Sequence, residues 1–157
     1  MTVISTELPP AWVDQFDGLD LDSKLHVAAL LLTVDDAGWP HLAYLSAREV
    51  LAYDTHRVSL ALWSASRSTA NLRRVGHGVL HAASESAIWE TRLVAQPRAD
   101  ADELVVFDAT VIGVRRHAAP YAEVTGLVSF RLNDPVSTLG RWRRQIERMR
   151  AGKPPPA

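Results

Sequence analysis

The sequence predicts a mainly β protein: a six- or seven-stranded antiparallel barrel with short flanking helices and a C-terminal amphipathic helix. Three observations carry that expectation. Apolar residues alternate with period two through most of the stretch from about His26 to Val114. Turn-forming residues interrupt that stretch at short intervals. Helix-period patterns are short, except at the chain end, and too few to supply the crossovers that a parallel sheet needs.

Pro9-Pro10 opens a short helical segment with Trp12, Val13 and Phe16 on one side, and Asp17-Gly18 closes it. From His26 onward Val27-Ala28-Ala29-Leu30-Leu31-Leu32 is apolar on both faces, which predicts the central strand, covered on both sides. Asp35-Asp36-Ala37-Gly38 supplies turn acids and a glycine, so Leu32–Val34 and His41–Ser46 form a hairpin with Pro40 at the strand start. A third strand follows from Val58 to Trp63 and a fourth around Leu80 and Ala82. Ile88–Gln96 and Leu104–Val114 are two long strands joined by the polar insert 97–102, and Leu127–Leu132 is a shorter last strand. Leu139, Trp142, Ile146 and Met149 form one stripe of a terminal helix. Arg141, Arg143, Arg144, Arg148 and Arg150 fill its other face, read as solvated, with docking of a regulatory partner as the alternative. The expected organisation is a single domain over 1–157, with a barrel core at 24–132, the helix at 135–150 and a disordered tail at 151–157.

Composition narrows the chemistry. With no cysteine among 157 residues there is no disulfide, no thiolate nucleophile and no Cys-ligated metal. Seventeen Lys+Arg against eighteen Asp+Glu leave a net charge of -1, without the electrostatic footprint of a nucleic-acid binder. The longest apolar run is interrupted by Thr33 and far too short to span a membrane. The N-terminus lacks the pattern of a signal peptide, so a cytoplasmic location is expected. His77 and His81 are four apart, which in a strand separates them by about 13 Å and argues against a metal site. Trp39 and Trp89 read as core or interface residues. No paired-carboxylate spacing or Gly-x-Ser-x-Gly elbow is present, and no catalytic side chain is singled out.

The stretch Trp63-Ser64-Ala65-Ser66-Arg67-Ser68-Thr69-Ala70-Asn71-Leu72-Arg73-Arg74-Val75-Gly76 runs from a strand end into a short helix closed by glycine. Either it is a plain serine cap beside a solvated arginine, or helix amides, Arg67 and the hydroxyls of Ser68 and Thr69 converge on an anion such as a phosphate.

Together with the Gly38-Trp39-Pro40 hairpin, the strand ending Tyr44-Leu45-Ser46 and the strand Val58–Trp63, this stretch resembles the pyridoxamine 5′-phosphate oxidase-like family of FMN-binding split barrels. The resemblance covers about Leu25 to Ser84 and, more loosely, extends to Leu132. It implies a homodimer with FMN at the subunit interface, its phosphate held by Ser66, Arg67, Ser68 and Thr69. Tyr44, Leu45 and Ser46 would lie beside the ring and ribityl chain, with Trp63 and Ser64 nearby. It further implies hydride or electron transfer to a small substrate. A non-catalytic storage dimer for a flavin, a deazaflavin or haem is the alternative. The sequence departs from the vitamin B6 oxidases of the family at His41 and Ser46, where they carry Arg and Lys, and at Ser68, where they carry Lys. Vitamin B6 oxidation itself is therefore not the expectation.

Overall fold

A computed structural model of the chain describes residues 4–98 and 103–152. Eight strands form one curled antiparallel sheet, a half-barrel: β1 (Ile4–Ser5), β2 (Ala28–Val34), β3 (Pro40–Ser46), β4 (Val50–Ala52), β5 (Arg57–Trp63), β6 (His77–Ser84), β7 (Ala87–Pro97) and β8 (Leu104–His117). Seven run in the order β3-β2-β6-β7-β8-β5-β4, and β1 pairs with β8 beside that path. Consecutive strands β3 and β4 are the two ends of the path, so the chain between them joins the open sides of the curl. The helices are α1 (Pro10–Gln15), α2 (Arg67–Val75) and α3 (Pro135–Ala151).

Local chemistry explains the elements. The hairpin turn is held by Asp35, whose Oδ1 accepts from the amides of Ala37 (3.0 Å) and Trp39 (2.8 Å), while Gly38 supplies the positive φ of 86°. From that turn β2 and β3 pair in register from Val34↔Pro40 to Ala28↔Ser46. On β8 the pairing slips by one residue at Ile112, because Arg92 faces Gly113 and Leu93 faces Val111, which bends the strand.

The core fills the inside of the curl. Ala29, Leu31, Leu45, Leu60, Leu80, Leu93, Val105 and Phe107 come from the strands, Leu72 from α2, and Trp142, Ile146 and Met149 from α3. Trp12 of α1 and Phe16, which caps its C-terminal end, are fully buried, with ring centroids 4.5 Å apart. Gly18, at φ 72°, passes α3 so closely that a Cβ there would stand 2.7 Å from Ile146 Cγ2. Helix α2 packs against β2 and β3, and its Asn71 Nδ2 donates to buried Thr33 Oγ1 at 3.0 Å.

Two expectations need correction. β2 is not central: it lies one strand from the edge, its outward residues Leu30 and Leu32 are half-buried, and β7 occupies the middle. An apolar run reports burial, not rank in a sheet. Leu127–Leu132 forms no strand; it runs irregularly toward α3, and Leu132 packs against the core. The arginines of α3 are all exposed, as expected of a solvated face, and two of them also reach the N-terminal segment: Arg143 pairs with Asp22 at 2.7 Å and Arg150 donates to the Asp17 carbonyl at 2.7 Å. Of the expected disordered tail, Ala151 ends α3 and Gly152 follows as its cap, while 153–157 lie outside the described residues. Residues 99–102 of the polar insert also lie outside them.

Candidate functional site

The turn from β5 into α2 is built by its own hydroxyls. Ser66 is the N-cap: its Oγ accepts from the Thr69 amide at 3.1 Å and donates to Thr69 Oγ1 at 3.0 Å. Thr69 Oγ1 in turn donates to the Trp63 carbonyl at 2.7 Å, and the Ser64 amide donates to the Glu103 carbonyl at 2.8 Å. The hydroxyls of Ser66 and Thr69 are thus committed to the turn, and Ser68 is buried. Arg67 is exposed at the first helical position. The amides of Arg67 and Ser68 precede any carbonyl that α2 could offer them, at the positive end of the helix dipole.

The three expected residues on β3 part company, because side chains alternate across a strand. Tyr44 points outward and is 67% exposed, whereas Leu45 is 3% exposed and belongs to the core, leaving only its backbone for a ligand. Ser46 is buried, and both its amide (2.7 Å) and its hydroxyl (2.9 Å) donate to Glu49 Oε2. The Glu49 carbonyl accepts from the Ala61 amide at 2.9 Å, which brings the β3 end beside the end of β5.

Between those ends and α3 lies a cleft of about 760 Å³ lined by Arg48, Glu49, Trp63, Glu103, Leu104, Arg141, Arg144, Gln145 and Arg148. Trp63 thus borders both the α2 turn and the cleft. Sequence reasoning missed Arg48, Glu49 and Glu103. A charged Arg48-Glu49 pair set between two apolar strands was the available signal.

Across the outer face of the sheet, Tyr44, Leu30, His81, Glu90, Arg115 and Ile4 form one transverse row. Glu90 Oε2 stands 3.0 Å from His117 Nε2 and 3.9 Å from His81 Nε2. Burial opposes the Glu90 charge, but hydrogen bonds from His117 and Arg92 and the charge of Arg115 hold its carboxyl below the usual range. Burial pushes the His81 imidazole below its ordinary value despite the attraction of Glu90. Among the described residues no group of three His, Asp or Glu side chains is placed to hold a metal ion, and no helix is long and apolar enough to cross a membrane. Trp89 packs against the core, with its indole N–H donating to the Ser84 carbonyl at 3.1 Å.

No family model matches the sequence. The chain is 33% identical over 135 residues to the uncharacterized protein YclD of Bacillus subtilis, an alignment covering 83% of this chain and 88% of that one. Among solved structures, a candidate pyridoxamine 5′-phosphate oxidase from Lactobacillus delbrueckii superposes with a TM-score of 0.56 at 16% identity, over 70% of this chain and 94% of that one. The styrene monooxygenase flavin reductase of Pseudomonas putida superposes with a TM-score of 0.50 at 13% identity, over 67% of this chain and 86% of that one. At such identities the solved structures establish a shared fold.

Proposed function

We propose that the chain, which shares the fold of the pyridoxamine 5′-phosphate oxidase-like split barrels, binds FMN or a related flavin between two copies of itself and acts as an oxidoreductase on a small substrate. The observation that carries this reading is the turn from β5 into α2, where two first-turn amides, the helix dipole and exposed Arg67 are left for one anion. The residues present fit the phosphate half of the cofactor, with Arg67 and the amides of Arg67 and Ser68 as donors and Ser66 and Thr69 fixing the turn.

The ring half fits the outer face of β3. Leu42 and Tyr44 are exposed there beside half-buried Leu30 and Leu32 of β2, an apolar surface that one copy leaves open to water. A second copy would cover it and close the ring between subunits. Leu45 contributes main-chain atoms, and Ser46 orients Glu49 at the rim. When bound, the flavin supplies the hydride or electron transfer, and the chain's own residues bind, orient and shield it.

The test is the visible spectrum of the purified protein after incubation with excess FMN and gel filtration. Flavin bands co-eluting at dimer mass are expected; a colourless protein overturns the cofactor, and a monomer overturns the interface. Arg67→Ala removes a charge-assisted contact worth roughly 1.5–3 kcal/mol, so FMN affinity should fall about ten- to hundredfold. Unchanged affinity in a titration would remove Arg67 from the phosphate site.

A further inference from the structure

His81 and His117 reach one carboxylate from two different strands. Glu90 Oε2 stands 3.0 Å from His117 Nε2 and 3.9 Å from His81 Nε2, and the two imidazole rings lie 6.4 Å apart. β6 and β7 place His81 directly opposite Glu90, while His117, at the end of β8, lies opposite Ile88. His117 takes the hydrogen bond, and His81 Nε2 is left buried without a partner. The same carboxylate also serves two guanidinium groups. Arg92 Nε lies 3.3 Å from Glu90 Oε1, and Arg115 is the register partner of Glu90 on β8, with a buried Nε that likewise lacks a partner. Among the described residues no second carboxylate lies within 4 Å of the His81 or His117 imidazole.

The surroundings bring little to offset further charge. β2 and β1 contribute Leu30 and Ile4 to the row, and β3 contributes the phenol of Tyr44. Arg116 lies over the Trp89 ring, and Glu123, beside the β6–β7 turn, accepts from Ser86 Oγ at 2.6 Å. Burial lowers the His81 value and the charge of His117 adds to that lowering, against the attraction of Glu90. The cluster sits in the outer face of the sheet with the exposed apolar side chains of Leu42, Tyr44, Val94 and Ile112. That is the face given above to a second copy of the chain. Copies related by a two-fold axis present the same patch to each other, so charge gained by one copy is gained equally by the other.

We propose that His81 and His117 make the dimer acid-sensitive: the neutral imidazoles let the two outer faces close, and the protonated ones drive them apart. The inference rests on the second copy proposed for this face and adds a control to that assembly. Histidine is the side chain that changes charge between about pH 5 and 8. At neutral pH the cluster holds Arg92 and Arg115 against Glu90. Acid adds imidazolium charges to a patch whose one carboxylate is already shared. Like charges set face to face across an interface are costly, and so is taking a charge out of water without a partner. A flavin ring closed between the copies is exposed by the same event.

Sedimentation equilibrium of the full chain tests it, at about pH 7.5, at about pH 5.5 and after return to the first, with circular dichroism recorded at each step. A dimer is expected at the higher pH. At the lower pH its dissociation constant should rise about tenfold or more with the dichroism unchanged, and the return should restore it. His81→Gln with His117→Gln should give a dimer equally tight at both values. A parent dimer equally tight at both overturns the switch and leaves the second-copy reading standing. A monomer at both overturns that reading and the switch with it. Dissociation that comes with loss of the dichroism signal overturns the switch, because acid then acts on the fold. Dissociation that persists in the double variant overturns it too, because other groups are then responsible. His117→Gln alone, at an exposed position, guards against misfolding of the double variant: it should shrink the pH response, and an undiminished response overturns the shared role of the two histidines.

Discussion

Two polar clusters flank α3, one around the single guanidinium of Arg98 and one around several arginines, and they are built on opposite principles. At the far end of β7, Arg98 forks onto Asp108, with Nε to Oδ2 at 3.0 Å and Nη2 to Oδ1 at 2.6 Å, while its Nη1 donates to the Met149 carbonyl at 3.0 Å. Ser59 Oγ donates to the same Asp108 oxygen at 2.9 Å, and Tyr53 Oη donates to the Met149 carbonyl at 2.9 Å. Strands β5, β7 and β8 are thereby tied to the last turn of α3. In the cleft, Arg48, Arg141 and Arg144 face open space beside the unpartnered side-chain amide of Gln145. A polar cluster whose members satisfy one another holds a fold together; like charges that line an open cleft do not.

The strongest way to break that comparison is Arg98→Ala. It strips Asp108 of both guanidinium bonds and the helix end of one, in a half-buried setting where charge-assisted bonds are worth roughly 1.5–3 kcal/mol. Unfolding in urea should show a loss of about 2–3 kcal/mol, and α3 should detach early, giving faster amide exchange near Met149. A loss under about 0.5 kcal/mol would make the network ornamental.

A smaller effect sharpens the comparison elsewhere in the sheet. His81 is half-buried with an Nε2 that has no hydrogen-bond partner, facing Glu90 and His117. Its imidazole stays neutral in the fold to lower pH than in the unfolded chain, where it protonates near pH 6.5. In the window below that value the unfolded state binds more protons, so stability should fall as pH drops from about 7 toward the lowered native value. The depressed Glu90 carboxyl adds a loss of the same sign at more acid pH. His81→Leu should flatten the decline between about pH 7 and 5.5, and an unchanged slope would clear His81 of it.

The sequence foretold features set by nearby residues. The Asp35–Gly38 turn, the Ser66 and Gly76 caps of α2 and the stripe of α3 each depend on side chains within a few positions of one another. What escaped it depends on distance along the chain. Arg98 finds Met149 across 51 residues, and the arginines of α3 sort into pinned and cleft-facing sets according to where Asp17, Asp22 and Arg48 end up. The same limit applies to the site: Tyr44, Leu45 and Ser46 look equivalent in a motif, yet the pleat sends Leu45 to the core and Glu49 claims Ser46. Leu127–Leu132 is apolar enough to pair, but strand partnership is not written in one segment.

The smallest effect has the opposite sign to the largest. Arg144 lies three residues from Arg141 and four from Arg148 on one helix, so it stands in two like-charge neighbour relations, each costing about 0.2–0.5 kcal/mol. Alanine removes both and is the better helix former. Arg144→Ala should therefore stabilise the ligand-free chain by several tenths of a kcal/mol at low salt, and the gain should shrink at about 1 M salt, where screening has already quieted the repulsion. A destabilisation would mean that Arg144 holds the fold as Arg98 does, and the contrast between the two clusters would collapse. A gain that survives high salt would assign it to helix propensity alone. A gain that is sensitive to salt would show that Arg144 stands against its like-charged neighbours and does not hold the fold as Arg98 does.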